Sequence, residues 1–349
     1  LPQFNTFCFL DNHQYQINPH AQECLIAAGV KQGLVLSSGS PALEQLKAFM
    51  QQHNGKWLFG HLNYDLKNEL EQLNSSHPDR IGFPELIFFE PSILVRFDEK
   101  EMSIEADDPD KVFSDINRAV PAPHHVQPEK LYIKNRLPRS EYIKTVEHLQ
   151  RHILRGDCYE INFCQEFFAD DARIDPVKVY KRLSDISPNP FSAFYRLEDK
   201  WLLCASPERF LKKEGVRIMT QPIKGTSKRV QDDLSLDEQN RQDLYNSGKD
   251  RAENVMIVDL MRNDLSRICT EGSVKVEELY GIYSFPQVHQ MISTISGELK
   301  SSTDFSDIIS ATFPMGSMTG APKKKVMQLI EQYEKTKRGI FSGTLGYIT

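Results

Sequence analysis

"SGKDRAENVMIVDLMRNDL" (residues 247–265) decides how the chain is built. Ala252, Val255, Met256, Val258 and Leu260 give this stretch enough apolar surface to bury one side of a helix. A second helical stretch near 232–246 precedes it, and strand-like runs follow at 273–282 and 286–298. Upstream, strands are expected at 159–168, 192–198, 201–205 and 209–221, with helices near 176–185 and, downstream, 305–311 and onward from Ala321. Strands and helices therefore come in clusters rather than in strict alternation. That grouping predicts an α+β fold with large mixed or antiparallel sheets, not a doubly wound one.

The first 120 residues continue the pattern with strands at 4–10, 56–62 and in "LIFFE" and "ILVRF" (86–97), and a helix from Pro41 to His53. "EMSIEA" (101–106) alternates Met102, Ile104 and Ala106 with polar partners, the period of a half-buried strand. "AVPAPHHVQPEK" (119–130) has three prolines and no periodicity, and is expected to be a linker. Beyond it a helix runs from Arg139 to Arg155, with Gly156 placed to stop it.

Composition sets the frame. A chain of 349 residues suggests roughly two domains or one large unit. Its 40% hydrophobic and 26% charged content is ordinary globular usage. A formal net charge of −6 argues against a nucleic-acid surface, though not against a local pocket for a small anion. Cys8, Cys24, Cys158, Cys164, Cys204 and Cys269 form no CxxC pair, so neither a zinc ribbon nor a disulfide framework is indicated, and a reduced cytoplasmic compartment is expected. No apolar run approaches about 18 residues, so no membrane span is expected. The chain starts at Leu1 without a methionine and stops at "GTLGYIT" inside a strand-like run, so either end is expected to be incomplete.

Several residues stand out chemically. In "MTQPIKGTSKR" (219–229), Lys224 lies between Pro222-Ile223 and Gly225-Thr226, as a solvated charge on a turn or as a reactive amine held by a loop. Asp250 and Glu253, three apart on the helix, share a face with β-carbons about 5–6 Å apart. A hard cation such as Mg²⁺ would relieve their repulsion; a solvated acidic face is the alternative. In "FPMGSMTGAPKKKVMQLI" (313–330), Lys323, Lys324 and Lys325 sit at the positive end of a helix that follows Gly316, Gly320 and Pro322. A bound carboxylate or phosphate would ease that conflict, as would exposure to water. Glu208 in "ASPERF" could project from a strand end as a general acid or be solvated, Glu160 in "GDCYEINF" needs a partner or a cavity, and His289 in "FPQVHQMIS" defaults to a structural histidine.

Taken in order, "GDCYEIN", "NPFSAF", "SPERF", "PIKGT", "KDRAENVMIVDLMRNDL", "FPQVHQMIST", "GSMTGAPK" and "GTLGYI" resemble the chorismate-utilising enzymes, clearly from Leu131 to Thr349 and more loosely before it. The resemblance implies two large facing, mostly antiparallel sheets flanked by helices. It also implies an N-terminal region over 1–125, packed into the same globule as a chorismate-binding catalytic region over 130–349. The family continues past "GYI" with an arginine and an ExxE helix, so the catalytic region is expected to lack the final C-terminal segment. By the same resemblance Glu253 is the metal-side carboxylate for Mg²⁺, with Asp250 acting through water. Glu208 is the general acid, Gly320 belongs to a carboxylate-binding loop with Thr226 and Lys323 as neighbouring substrate contacts, and Tyr347 meets the enolpyruvyl carboxylate.

Relatives that make anthranilate or salicylate usually carry alanine where this chain has Lys224. The lysine resembles the branch that aminates chorismate at C4, in which the amine attacks C2 as the C4 hydroxide leaves and ammonia then displaces it. Glu160 occupies the place of a base or water-orienting residue near C2, and His289 is expected near the ring hydroxyl or carboxylate. Ammonia would come from a separate glutaminase subunit. Anthranilate formation is the nearest alternative; a Schiff-base lysine enzyme and a non-catalytic chorismate-binding subunit are more remote.

Overall fold

The computed structural model describes residues 1, 3–15, 24–119 and 130–349, so all of the expected linker except Ala119 and Lys130 lies outside the described residues. The chain opens with β1 (Thr6–Asp11) and β2 (Cys24–Leu36), followed by α1 (Ala42–Gln52), which buries Ala42, Leu46 and Phe49. Next come β3 (Leu58–Leu62), buried along its whole length, α2 (Lys67–Glu71) and β4 (Leu86–Phe97). "LIFFE" and "ILVRF" are thus one strand. Its ladder with β2 shifts register between Val30 and Gln32, beside Pro91, a residue that has no N–H to donate. Strand β5 (Met102–Glu105) then leads to α3 (Pro109–Arg118), started by the Asp108 carboxylate accepting from the Lys111 N–H.

Beyond the undescribed residues lie β6 (Lys134–Asn135), α4 (Arg139–Leu154), β7 (Glu160–Ile161), β8 (Phe167–Phe168) and α5 (Pro176–Ile186). The expected strand over 159–168 is therefore two short ladders. Hairpins follow: β9 (Phe191–Leu197), β10 (Lys200–Ser206), β11 (Arg209–Glu214) and β12 (Arg217–Gln221). Gly215, at φ 56°, makes the turn that divides the expected 209–221 strand in two. Then come β13 (Ile223–Lys228), α6 (Leu234–Asn246), α7 (Gly248–Ile268), β14 (Lys275–Ser284) and β15 (Val288–Glu298). The last elements are α8 (Phe305–Thr312), the single turn α9 (Gly316–Thr319), β16 (Gly320–Ala321), α10 (Lys323–Tyr333) and β17 (Thr344–Ile348).

Two antiparallel sheets dominate this α+β architecture. The eight-stranded one runs β10-β9-β1-β2-β4-β3-β17 with β5 on β4, and the five-stranded one runs β11-β12-β15-β13 with β14 on β15. Strands from both sides of residues 120–129 share the larger sheet, since β9 pairs with β1 and β17 with β3. Helix α7 covers one face of the smaller sheet. It does so through Ile257, Val258, Met261, Leu265 and Ile268 against Ile218 and Ile295, a stripe at helical spacing. This shifts the expected face, because Ala252 is exposed and the polar Asn254 is buried instead.

Candidate active site

Alternation along β13 and β15 sorts the site from its scaffold. Ser227 Oγ donates to Asn240 O at 3.1 Å, His289 Nε2 lies 3.2 Å from Asp237 Oδ1, and Ser293 Oγ donates to Asn254 Oδ1 at 2.6 Å. These residues face α6 and α7. Thr226 and Gln290 are register partners one residue away, so their side chains take the opposite face. Gly225, at φ 95°, sits within β13 where the ladder with β15 shifts register between Ile223 and Thr226. A β-carbon there would come within 3.0 Å of Asp250 Cβ and 3.2 Å of Leu244 Cδ1, so position 225 points at the helices and Lys224 points away from them.

On that open face Lys224 Nζ forms an ion pair with Glu160 and donates to Asn162 Oδ1 at 3.1 Å. The lysine and glutamate side chains are 12% and 11% exposed, so Lys224 is not a solvated turn lysine. Glu160 Oε2 is buried without a hydrogen-bond partner. The carboxylate is held there by a two-residue ladder in which Gly320 faces Ile161 and Ala321 faces Glu160. Gly320 has φ 138°, and a β-carbon on it would lie 2.1 Å from Glu160 O, so only glycine allows this approach.

Glu208, in the turn between β10 and β11, accepts from the Ile223 N–H at 3.2 Å, immediately before Lys224. Burial pushes its carboxyl up from the ordinary value. The Ser317 hydroxyl, the Ile223 N–H and the Lys224 charge pull the other way without cancelling it. The next residue, Arg209, is buried, donates to Met219 Sδ at 3.8 Å, packs over the Phe191 ring at 5.1 Å and forms no ion pair among the described residues. Across from it Tyr347, in the edge strand β17, stacks on Trp57 with centroids 5.4 Å apart. Burial raises the Tyr347 hydroxyl and the Arg209 charge lowers it.

Two of the expected site residues have their polar partners away from Lys224. Lys323 turns inward: its Nζ meets Asp264 Oδ2 at 2.5 Å and Thr312 O at 3.1 Å. The charge conflict at the start of α10 is relieved by this buried partner on α7, leaving Lys324 and Lys325 exposed. His289 lies 2.8 Å from Ser284 Oγ and 3.2 Å from Asp237, so it braces α6 rather than the face carrying Lys224. Gln290 has that face instead, and its Oε1 is buried without a partner. Thr226 is exposed there.

Asp250 and Glu253 share a helix face as expected, but each already has a neighbour. Ser247 Oγ bonds the Asp250 carboxylate, and Lys249 Nζ lies 3.4 Å from Glu253 Oε1. Both donors are oxygens, and the competing lysine is 79% exposed, so Glu253 is free to take a hard cation. No third His, Cys, Asp or Glu completes a cluster among the described residues, and a metal here would keep mostly water. Of the site residues not predicted from sequence, Gln290 needed strand alternation, Asn162 needed a contact across 62 positions, and Arg209 needed burial to be known. A groove of 380 Å³ near Asn63, Asp79, Glu85 and Lys200 contains none of the predicted site residues.

The chain belongs to the chorismate binding enzyme family, which matches residues 8–349. Among curated proteins it is 44% identical over 216 residues to aminodeoxychorismate synthase component 1 of Salmonella typhimurium LT2, covering 62% of this chain and 47% of the relative. The corresponding protein of Klebsiella aerogenes is 36% identical over 296 residues, covering 84% and 64%. The chain thus spans about half to two thirds of the length of these relatives. Anthranilate synthase component I from Streptococcus pneumoniae TIGR4 shares the fold, with a TM-score of 0.81 at 24% identity over 96% of this chain and 83% of that one.

Proposed function

We propose that the chain is the catalytic part of an aminodeoxychorismate synthase component I, which aminates chorismate at C4 to give 4-amino-4-deoxychorismate for para-aminobenzoate and folate synthesis. The observation that carries this reading is Lys224, withdrawn from solvent against Glu160 in the same cleft as the raised carboxyl of Glu208. A lysine must be neutral to attack carbon, and Glu160, its ion-pair partner, would take the proton. As the Lys224 nitrogen bonds to C2, both double bonds of the ring diene shift along the ring and the C4–O bond breaks, with Glu208 protonating the departing hydroxide to water. Ammonia then attacks C4, both double bonds shift back, the new C4 ammonium gives a proton to Glu208, and Lys224 leaves C2 and regains a proton from Glu160.

Arg209 and Tyr347 supply a positive charge and a hydroxyl for a substrate carboxylate, and Gly320 keeps the opposite wall open. Glu253, with Asp250 through water, would hold Mg²⁺, whose charge offsets that of the substrate carboxylates. The regions 1–125 and 130–349 act as one unit in a cytoplasmic enzyme whose ammonia comes from a glutaminase partner. Incubation with chorismate, Mg²⁺ and ammonium, followed by the lyase that releases para-aminobenzoate, tests the reading. Anthranilate as the product would replace it with the anthranilate synthase alternative.

A further inference from the structure

Asn162, between β7 and β8, uses every polar group it has. Its N–H donates to Thr319 O at 2.9 Å, its C=O accepts from Arg338 Nη2 at 2.7 Å, its Nδ2 donates to Ser317 O, and its Oδ1 accepts from Lys224 Nζ. The amide orientation is settled by chemistry, since a carbonyl only accepts and an ammonium only donates. The carbonyl bonded by Nδ2 belongs to Ser317, so Asn162 ties α9 to the amine.

Behind Asn162 lies an ion pair with little reason to exist for stability alone. Arg338 and Glu334 are 8% and 4% exposed, with Nε 3.0 Å from Oε2 and Nη2 2.6 Å from Oε1. Arg338 Nη1 also donates to Met318 O at 2.6 Å, and Glu334 Oε1 accepts from the Cys164 N–H at 2.9 Å. A buried pair of this kind is often no more stabilising than apolar residues of the same volume. Its donors and acceptors instead pin three segments to one another: 162–164, α9 and 334–338.

We propose that the Arg338–Glu334 pair is a positioning clasp that fixes Asn162, so that the Asn162 carboxamide oxygen holds the Lys224 amine at the place from which it reacts. This rests on Lys224 being the reacting amine, but its test needs neither substrate nor turnover. The groups facing Lys224 are Glu160 on β7, Glu208 from the β10–β11 turn and Cys164 beyond Asn162, with Asp250 behind Gly225. Against that fixed set, Asn162 and its clasp are varied.

The rate of Lys224 modification by trinitrobenzenesulfonate is followed by peptide mass spectrometry from pH 6 to 11, in variants shown to be folded by circular dichroism. Exposed Lys324 serves as the internal control. Asn162→Asp adds a carboxylate and is expected to move the midpoint up by about one unit, roughly tenfold slower labelling at fixed pH below it. Asn162→Ala removes an acceptor from the ammonium and is expected to move it down. Arg338→Lys and Glu334→Gln are expected to shift the profile in the same direction as Asn162→Ala, with Lys324 unchanged. If the Asn162 variants leave the profile in place, or if both clasp variants lower the melting temperature while Lys224 titrates as in the parent, the proposal is overturned.

Discussion

Replacing Lys224 with methionine removes the cation facing Glu160 while keeping most of the side-chain volume. Both charges are about one-tenth exposed, so solvent screens them little. At an effective dielectric constant of about 20 and a charge separation of about 4 Å, their attraction is roughly 4 kcal/mol. Removing one member of a buried pair costs about 3–5 kcal/mol, since the other charge stays behind. Glu160 has no reserve partner for Oε2, and Lys224→Met should therefore lower the unfolding free energy by about 3 kcal/mol. Glu160→Gln keeps a carbonyl that can still accept from Lys224 and should cost about 1–2 kcal/mol. The double variant lacks both charges and should cost less than the two singles summed, by about 2 kcal/mol. Urea unfolding at pH 7, read by circular dichroism and by the fluorescence of Trp57 and Trp201, gives each term. Additivity within about 0.5 kcal/mol would refute the claim that the two charges are energetically joined.

Glu208, with its folded-state pKa raised, contributes stability that is fully present below the ordinary glutamate pKa and lost as pH rises through the folded value. Glu208→Gln should therefore be the more stable protein at pH 7 and converge with the parent near pH 4 in thermal unfolding, while losing turnover; a constant difference across that range would contradict the burial of this carboxyl. Gly320→Ala drives a β-carbon into Glu160 O, and should cost about 1–3 kcal/mol in denaturant unfolding along with chorismate turnover. An alanine variant with parental stability would show that the two-residue ladder is not this tight. His289→Ala should lower stability by about 1–2 kcal/mol with KM for chorismate unchanged, whereas Gln290→Leu should reduce turnover in a fully folded protein. The opposite pattern in steady-state assays would return His289 to the substrate face.

Much of this was legible in sequence because it depends on local pattern. The apolar stripe of 247–265 and the strand runs around it specify elements whose clustering gives two antiparallel sheets, and Pro222 and Gly225 mark the break that presents Lys224. Lys323 could not be placed, because the partner that decides its direction, Asp264, lies on another helix. The contacts of His289 with Ser284 and Asp237 depend on strand phase, which nothing within "PQVHQMIS" fixes. The 159–168 region reads as a strand in composition, yet forms only two-residue ladders, because Asn162 and Cys164 bond to α9 and Glu334 instead of to a sheet. Helix α3 was not expected, although Val112, Phe113 and Ile116 lie at helical spacing, and none of them is buried.

The most direct measurement compares the parent chain with Lys224→Ala, each supplied with chorismate, Mg²⁺ and ammonium, with both aminobenzoates quantified after lyase treatment. Para-aminobenzoate from the parent, and a loss of about 100-fold or more in the variant, is the expected result. Anthranilate from the parent, or undiminished para-aminobenzoate from the variant, would contradict the assignment of Lys224 as the attacking amine.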